Sequence, residues 1–335
     1  MAEKTAQESS NDSTPDVVAT TEILHSGDAD VALKFVEATG PASEDFVLDK
    51  ALKRRVLFKI DRLLLPIMAI TEMLQFLDKT TLSYAAIFGI RQDTNLHGTD
   101  YSWLSSVFYF GYLVSQPLSA VALQKFPAAK CLAVCVFLWS VILFMHAACS
   151  NFGGLMTVRF FLGMVEGLTF PAFMLITNAW YPRKNQSFRM GIWFAQNGTA
   201  QILGGILSYG LGHIKSGIPS WKWMFLVTGA ITTVWAVILW FAIPNSQIEA
   251  RFLDENEKRA SIEMIRANNT GVYSRTFKKE QMIEALTDMK TWMFFLITFF
   301  INIPNSVASV CLCVVIYCGG TLTDVVWHSY HPRLW

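Results

Sequence analysis

The chain of 335 residues is 53% hydrophobic and only 16% charged, with a mean hydropathy of +0.36. Soluble domains carry about a quarter charged residues, so this composition excludes an ordinary water-soluble enzyme. Lys and Arg number 27 against 26 Asp and Glu, a balance that gives nucleic acid no footing as a partner.

Residues 1–50 hold eleven Asp/Glu against three Lys/Arg, with many Ser, Thr and Ala. Such a stretch cannot bury enough apolar surface to order itself, and it lacks the basic start and short apolar run of a secretory signal. A disordered cytosolic tail is expected. The charge then reverses: Lys50, Lys53, Arg54, Arg55, Lys59 and Arg62 crowd before the first apolar run. Seven hydrophobic spans follow, near 63–88, 101–122, 128–149, 152–178, 190–212, 223–243 and 291–315. Each is close to or above the roughly 20 residues that cross a hydrocarbon core. Lipid offers no partner to a free backbone amide, so these spans should be helices. The predicted fold class is an all-α, multi-pass membrane protein.

Basic residues in the connections set the orientation. With the N-terminus inside, nineteen lie on the cytosolic side and three (Arg91, Lys215, Lys222) outside, which favours a cytosolic N-terminus. A seven-helix receptor, with its N-terminus outside, runs against that count. The loop between spans six and seven carries eight basic and eight acidic residues, and Asp254 to Arg266 reads as a short surface helix. The chain thus divides into a cytosolic tail (1–50), a six-helix bundle (51–243), a cytoplasmic central loop (244–290) and a seventh helix with an atypical tail (291–335). This is the layout of half a carrier in which two six-helix bundles, each of inverted three-helix repeats, enclose a midplane site. The second bundle barely begins.

An ionisable residue at mid-span costs about 2.5–3.5 kcal/mol on insertion scales, so those present are the site candidates. In the first span Glu72, Gln75 and Lys79 fall at i, i+3 and i+7 along one helix face, with Thr71 and Asp78 on an overlapping one. They line an aqueous cavity, or else Asp78 and Lys79 lie near the outer end and snorkel to water. In the fourth span Arg159 and Glu166 stand two turns apart with Gly163 between them. An Arg fork matches a carboxylate in two hydrogen bonds, and a midspan carboxyl in low dielectric can alternate between charged and neutral. The alternative is an ion pair that merely holds the bundle together. In the fifth span Gln196, Asn197 and Gln201 are placed to hydrogen-bond in a cavity, and Gly204, Ser208 and Gly212 form a small-residue stripe suited to close helix contact. Tyr109, Tyr112 and Gln116 in the second span read chiefly as packing, His146 near the outer end of the third as a solvated or packed histidine, and Pro171 and Pro304 as kinks. The six cysteines (131, 135, 149, 311, 313 and 318) read as small apolar side chains in these stretches. No metal, cofactor or nucleophile–base pair is indicated, which argues against an enzyme.

Several strings resemble the allantoate permease family of fungal anion:cation symporters, within the major facilitator superfamily. They are Leu77-Asp78-Lys79-Thr80-Thr81-Leu82-Ser83-Tyr84-Ala85-Ala86, Tyr101-Ser102-Trp103-Leu104-Ser105-Ser106 with Phe110-Gly111-Tyr112-Leu113, and Leu123-Gln124-Lys125-Phe126-Pro127. Arg159-Phe160-Phe161-Leu162-Gly163-Met164-Val165-Glu166-Gly167 follows, then Gly191-Ile192-Trp193-Phe194 with Gln201-Ile202-Leu203-Gly204-Gly205, and Trp221-Lys222-Trp223. The resemblance implies proton-coupled symport of a small organic anion, allantoate or ureidosuccinate among them, across the plasma membrane by alternating access. Nicotinate, pantothenate, cysteine and sulfonates are alternative substrates within the family. It also implies that Arg159 holds the anion and that Glu166 carries the proton. After Asn302-Ile303-Pro304-Asn305 the family pattern stops, and family members continue for five more helices. The alternative expectation is therefore a truncated half-carrier that does not transport by itself.

Overall fold

Lys50–Ile87 forms one helix of 38 residues, α1. At 1.5 Å per residue it is about 57 Å long, more than the roughly 40–45 Å of a bilayer with its headgroups, so one end projects beyond the lipid. This computed structural model describes residues 49–214, 217–247, 249–266, 284 and 286–301. The acidic tail, and the chain after Ile301 with Pro304, Cys311, Cys313 and Cys318, lie outside the described residues. Every regular element among those described is a helix.

Gly89, in the left-handed region at φ 90°, turns the chain from α1 into the short α2 (Ile90–Asp93). Asp100–Lys125 is α3, Ala128–Ala148 α4, Phe152–Glu166 α5 and Thr169–Trp180 α6. Arg183–Phe194 is α7, Gln196–Gly212 α8, Ser220–Ala242 α9 and Glu255–Arg266 α10. Met289–Ile301 is α11. The surface helix expected from Asp254 onward is α10. It packs on α1 and α6, with Ala260, Ile262 and Met264 among its buried side chains.

Seven spans were expected, whereas four described stretches are long and apolar enough to cross a membrane: α3, α4, α5 with α6 (Phe152–Trp180), and α9. The physical reasons differ for the rest. α1 is long enough, but Glu72, Asp78 and Lys79 interrupt its apolar run. The fifth span is divided at Ala195, which ends α7 and starts the 17-residue α8. The seventh is described only as far as Ile301.

The packing has an internal symmetry. α1 lies on α8, α3 on α5, and α4 on α9. Exchanging the first three spans for the last three turns the first pair into the second and leaves the third unchanged, the pattern of an inverted three-plus-three repeat. Apolar side chains gain little by leaving lipid for one another, so such pairs rely on close backbone approach at small residues. Between α3 and α5, a Cβ at Gly163 would strike the Phe108 carbonyl oxygen, and one at Gly111 the Phe160 carbonyl oxygen. Between α1 and α8, a Cβ at Gly204 would come within 3.0 Å of Leu77 and Tyr84, and one at Gly212 would strike the Phe88 ring. The stripe of small residues in the fifth span therefore faces α1.

Ion pairs cluster at the Lys50 end of the bundle. Arg189 of α7 donates from Nε and Nη2 to the two carboxylate oxygens of Asp61, at 2.7 and 2.6 Å, and lies over the Tyr181 ring. Lys59 donates to both oxygens of Glu257 in α10, at 2.7 and 2.6 Å, with Arg55 3.3 Å away. At the opposite end Trp221 Nε1 donates to Asp93 at 2.7 Å.

Candidate functional site

Asp78, Arg159 and Glu166 come from two helices and meet inside the bundle. Asp78 and Glu166 are 0% exposed and Arg159 3%. Asp78 lies within electrostatic reach of both others. Lys79, 28% exposed at its side chain, reaches Glu166 Oε2 at 3.9 Å and passes over the rings of Phe108 and Tyr112. Glu72, also buried, feels the charge of Lys79 two turns along the same face. The snorkelling alternative therefore fails for Asp78: the register of α1 against α5 carries it to the interior, beside the charges of the fourth span.

The backbone of the fourth span is broken where Glu166 sits. α5 ends there, Gly167 and Leu168 form a turn, and α6 starts at Thr169. Pro171 has no N–H to give to the carbonyl of Gly167 four residues earlier. Gln116 of α3 supplies that bond from Nε2 at 3.1 Å, and Gln75 of α1 donates to the Glu166 carbonyl at 3.2 Å. Gln75 thus fastens the turn that presents Glu166. The kink expected at Pro171 begins at Gly167.

α4 and α9 complete the surroundings. His146 is fully buried, stacked on Phe225 with ring centroids 5.0 Å apart, and its Nδ1 lies 2.9 Å from the Ile142 carbonyl oxygen. Arg159 approaches the same Phe225 ring, its guanidinium carbon 5.9 Å from the centroid. Trp139 and Thr228 adjoin Asp78. Trp235 Nε1 donates to Thr71 Oγ1 at 2.9 Å. Among the described residues, Asp78 Oδ1 and Oδ2, Glu166 Oε1 and Oε2, and Arg159 Nε and Nη2 have no hydrogen-bond partner. Buried charges with unfilled hydrogen-bonding positions are costly in a low dielectric, even with opposite charges nearby.

Gln196 and Asn197 do not hydrogen-bond to this cluster. Gln196 Nε2 turns back to the Ile192 carbonyl at 3.4 Å, while Asn197 Oδ1 has no partner among the described residues. Phe225, Thr228 and Trp139 were not singled out from sequence, since their apolar runs carry no local mark of a site. His146 carried one: a histidine within an uncharged stretch. Cys131, Cys135 and Cys149 are free thiols, half-buried rather than buried.

A bundle with symmetric halves and a charged midspan cluster defines a membrane carrier. The Major Facilitator Superfamily profile matches residues 68–319, and the chain belongs to that superfamily. A transporter of Schizosaccharomyces pombe is 42% identical over 281 residues, 84% of this chain and 52% of the relative. The allantoate permease of Saccharomyces cerevisiae is 37% identical over 257 residues, 75% of this chain and 47% of the permease. The thiamine pathway transporter of the same yeast is 36% identical over 294 residues, 83% and 56%. The chain thus spans about half the length of the curated relatives it matches. A solved bacterial homolog of the human lysosomal transporter Spinster, inward-facing and unoccupied, is 22% identical with a TM-score of 0.48, covering 59% of this chain and 44% of that one. Superfamily and relatives are transporters, not enzymes, and the chain is a multi-pass membrane protein of that class.

Proposed function

We propose that the chain is the first bundle of a proton-coupled symporter for a small organic anion of the allantoate and ureidosuccinate class. It would lie in the plasma membrane with a cytosolic N-terminus, and the domain limits read from the sequence apply: tail 1–50, bundle 51–243, central loop 244–290, then 291–335. The carrying observation is the buried Asp78–Arg159–Glu166 group with its unpaired atoms. Three carboxyls (Glu72, Asp78, Glu166) face two cations (Lys79, Arg159), so one proton on a carboxyl balances the site. An anion arriving on the Arg159 fork adds one negative charge, and a second proton restores neutrality. In low dielectric that balance is worth several kcal/mol, which is what couples anion to proton. Gln75 positions the Glu166 turn, and Gln196 and Asn197 contribute polar lining nearer the fifth span. Alternating access needs an opposing bundle, which the all-exposed apolar helix α11 (Met289–Ile301) begins to supply.

Uptake of labelled allantoate, measured from pH 5 to 8 in yeast lacking its own permease and expressing the gene that contains this chain, tests the reading. Arg159→Gln should abolish uptake. Glu166→Gln should leave anion exchange but remove accumulation driven by a proton gradient. Unchanged uptake and apparent affinity in Arg159→Gln would sink it.

A further inference from the structure

The cations ahead of the first span divide between two faces of α1. Arg55 and Lys59 are taken by Glu257 of α10. Lys50, Lys53, Arg54, Leu57, Phe58 and Asp61 recur at i, i+3, i+4, i+7, i+8 and i+11, which is one face. They line a shallow, open cavity of about 420 Å³ together with Arg189. The carboxylate of Asp61 is already held by both arms of Arg189, and among the described residues Lys50, Lys53 and Arg54 form no ion pair. The lining also carries a bare aromatic ring: Phe58 is 67% exposed.

Depth identifies what fits. Phe58 and Ile87 are 29 residues apart on one helix, about 44 Å at 1.5 Å per residue. That matches the roughly 40–45 Å of a bilayer with its headgroups. With Ile87 at the far surface, Phe58 lies at headgroup level, where exposed aromatics anchor and clustered Lys and Arg attract anionic lipid. The volume lies in the range of small-molecule pockets. We infer that this cavity is a binding site for the phosphate-bearing headgroup of an anionic phospholipid, with Lys50, Lys53 and Arg54 as its ligands and Phe58 as an aromatic anchor at headgroup level. Its assignment to the cytosolic leaflet rests on the orientation proposed above; the site does not.

The test is native mass spectrometry of the purified chain in detergent with short-chain phosphatidylinositol 4,5-bisphosphate, phosphatidylserine, phosphatidylcholine and inorganic phosphate as separate ligands. Lys50→Ala/Lys53→Ala/Arg54→Ala should weaken phosphoinositide binding about a hundred-fold, at the usual contribution of each basic residue near a charged headgroup. Arg183→Ala/Lys184→Ala, which removes two cations at the same end outside the cavity, should change it less than about three-fold, within the spread of exposed charges. Equal loss per cation removed in the two variants overturns the site in favour of general charge attraction. Displacement by inorganic phosphate at the same concentration makes it a site for free anions. Lipid binding seen only after deletion of residues 1–48 assigns the cavity to that acidic segment. None of these outcomes depends on transport, so the site and the symporter reading fail separately.

Discussion

Gln116 of α3 donates from Nε2 to the carbonyl oxygen of Gly167 at 3.1 Å, where Pro171 leaves the helix unable to satisfy that oxygen itself. Gln75 of α1 does the same for Glu166 from the other side at 3.2 Å. Two glutamines from separate helices therefore hold open a break in a membrane span, and the break fixes where the Glu166 carboxyl stands. Local chain geometry and the charged cluster are one construction.

Gln116→Leu keeps the bulk of the side chain and leaves the Gly167 carbonyl unpaired in a region without water. The expected cost is about 1 kcal/mol, the scale of hydrogen bonds between membrane helices, read as a lower thermal unfolding midpoint in detergent. In a double-mutant cycle, Gln75→Leu should be coupled to it, because both bonds brace the same turn. A Gln116→Leu chain that unfolds at the wild-type temperature would refute this account of the break.

Gly163 tests the α3–α5 contact. An alanine there drives a methyl group into the Phe108 carbonyl oxygen, backbone that cannot move without parting the helices. Overpacking of this kind costs about 1–3 kcal/mol. Gly153, on the same helix, has nothing within 4 Å of a Cβ, so Gly153→Ala should be neutral or slightly stabilising through its better helix propensity. The check is the yield of folded monomer by size exclusion for both variants. Equal yields would show that the helices meet elsewhere.

How far these features were legible depends on the range of the interaction. Arg159, Gly163 and Glu166 share a stripe because residues seven apart on one helix must, and the small-residue stripe of α8 faces α1 as its spacing suggests. Asp78 was ambiguous because whether it met water or Arg159 depends on how far α1 slides against α5, which no local pattern encodes. Phe225, Thr228 and Trp139 join the site only through α9 and α4 packing, and inside an apolar helix they look like any lipid-facing residue. The Lys59–Glu257 pair spans 198 positions. The basic run and the surface helix were both visible, but their union was not.

That pair gives the last prediction. Glu257 is buried on α10, and burial alone would push its carboxyl up. The hydrogen bonds from Lys59 and from the Asp254 N–H, with the charges of Lys59 and Arg55, outweigh burial and hold it below its ordinary 4.5. A carboxyl lowered on folding contributes stability above its unfolded value and loses it as pH falls through the folded one. The native chain should therefore resist unfolding better than Glu257→Gln at pH 7, with the margin closing below about pH 4.5. The coupling to Lys59→Met in a double-mutant cycle should be about 0.5–1 kcal/mol and shrink in salt, since Arg55 and Lys59 remain partly in water. Because α10 rests on α1, Glu257→Gln should also speed cleavage by trypsin at Arg266, where α10 ends. Identical cleavage rates and a margin that does not change with pH would mean that the apolar packing of α10 on α1 and α6 alone keeps it in place.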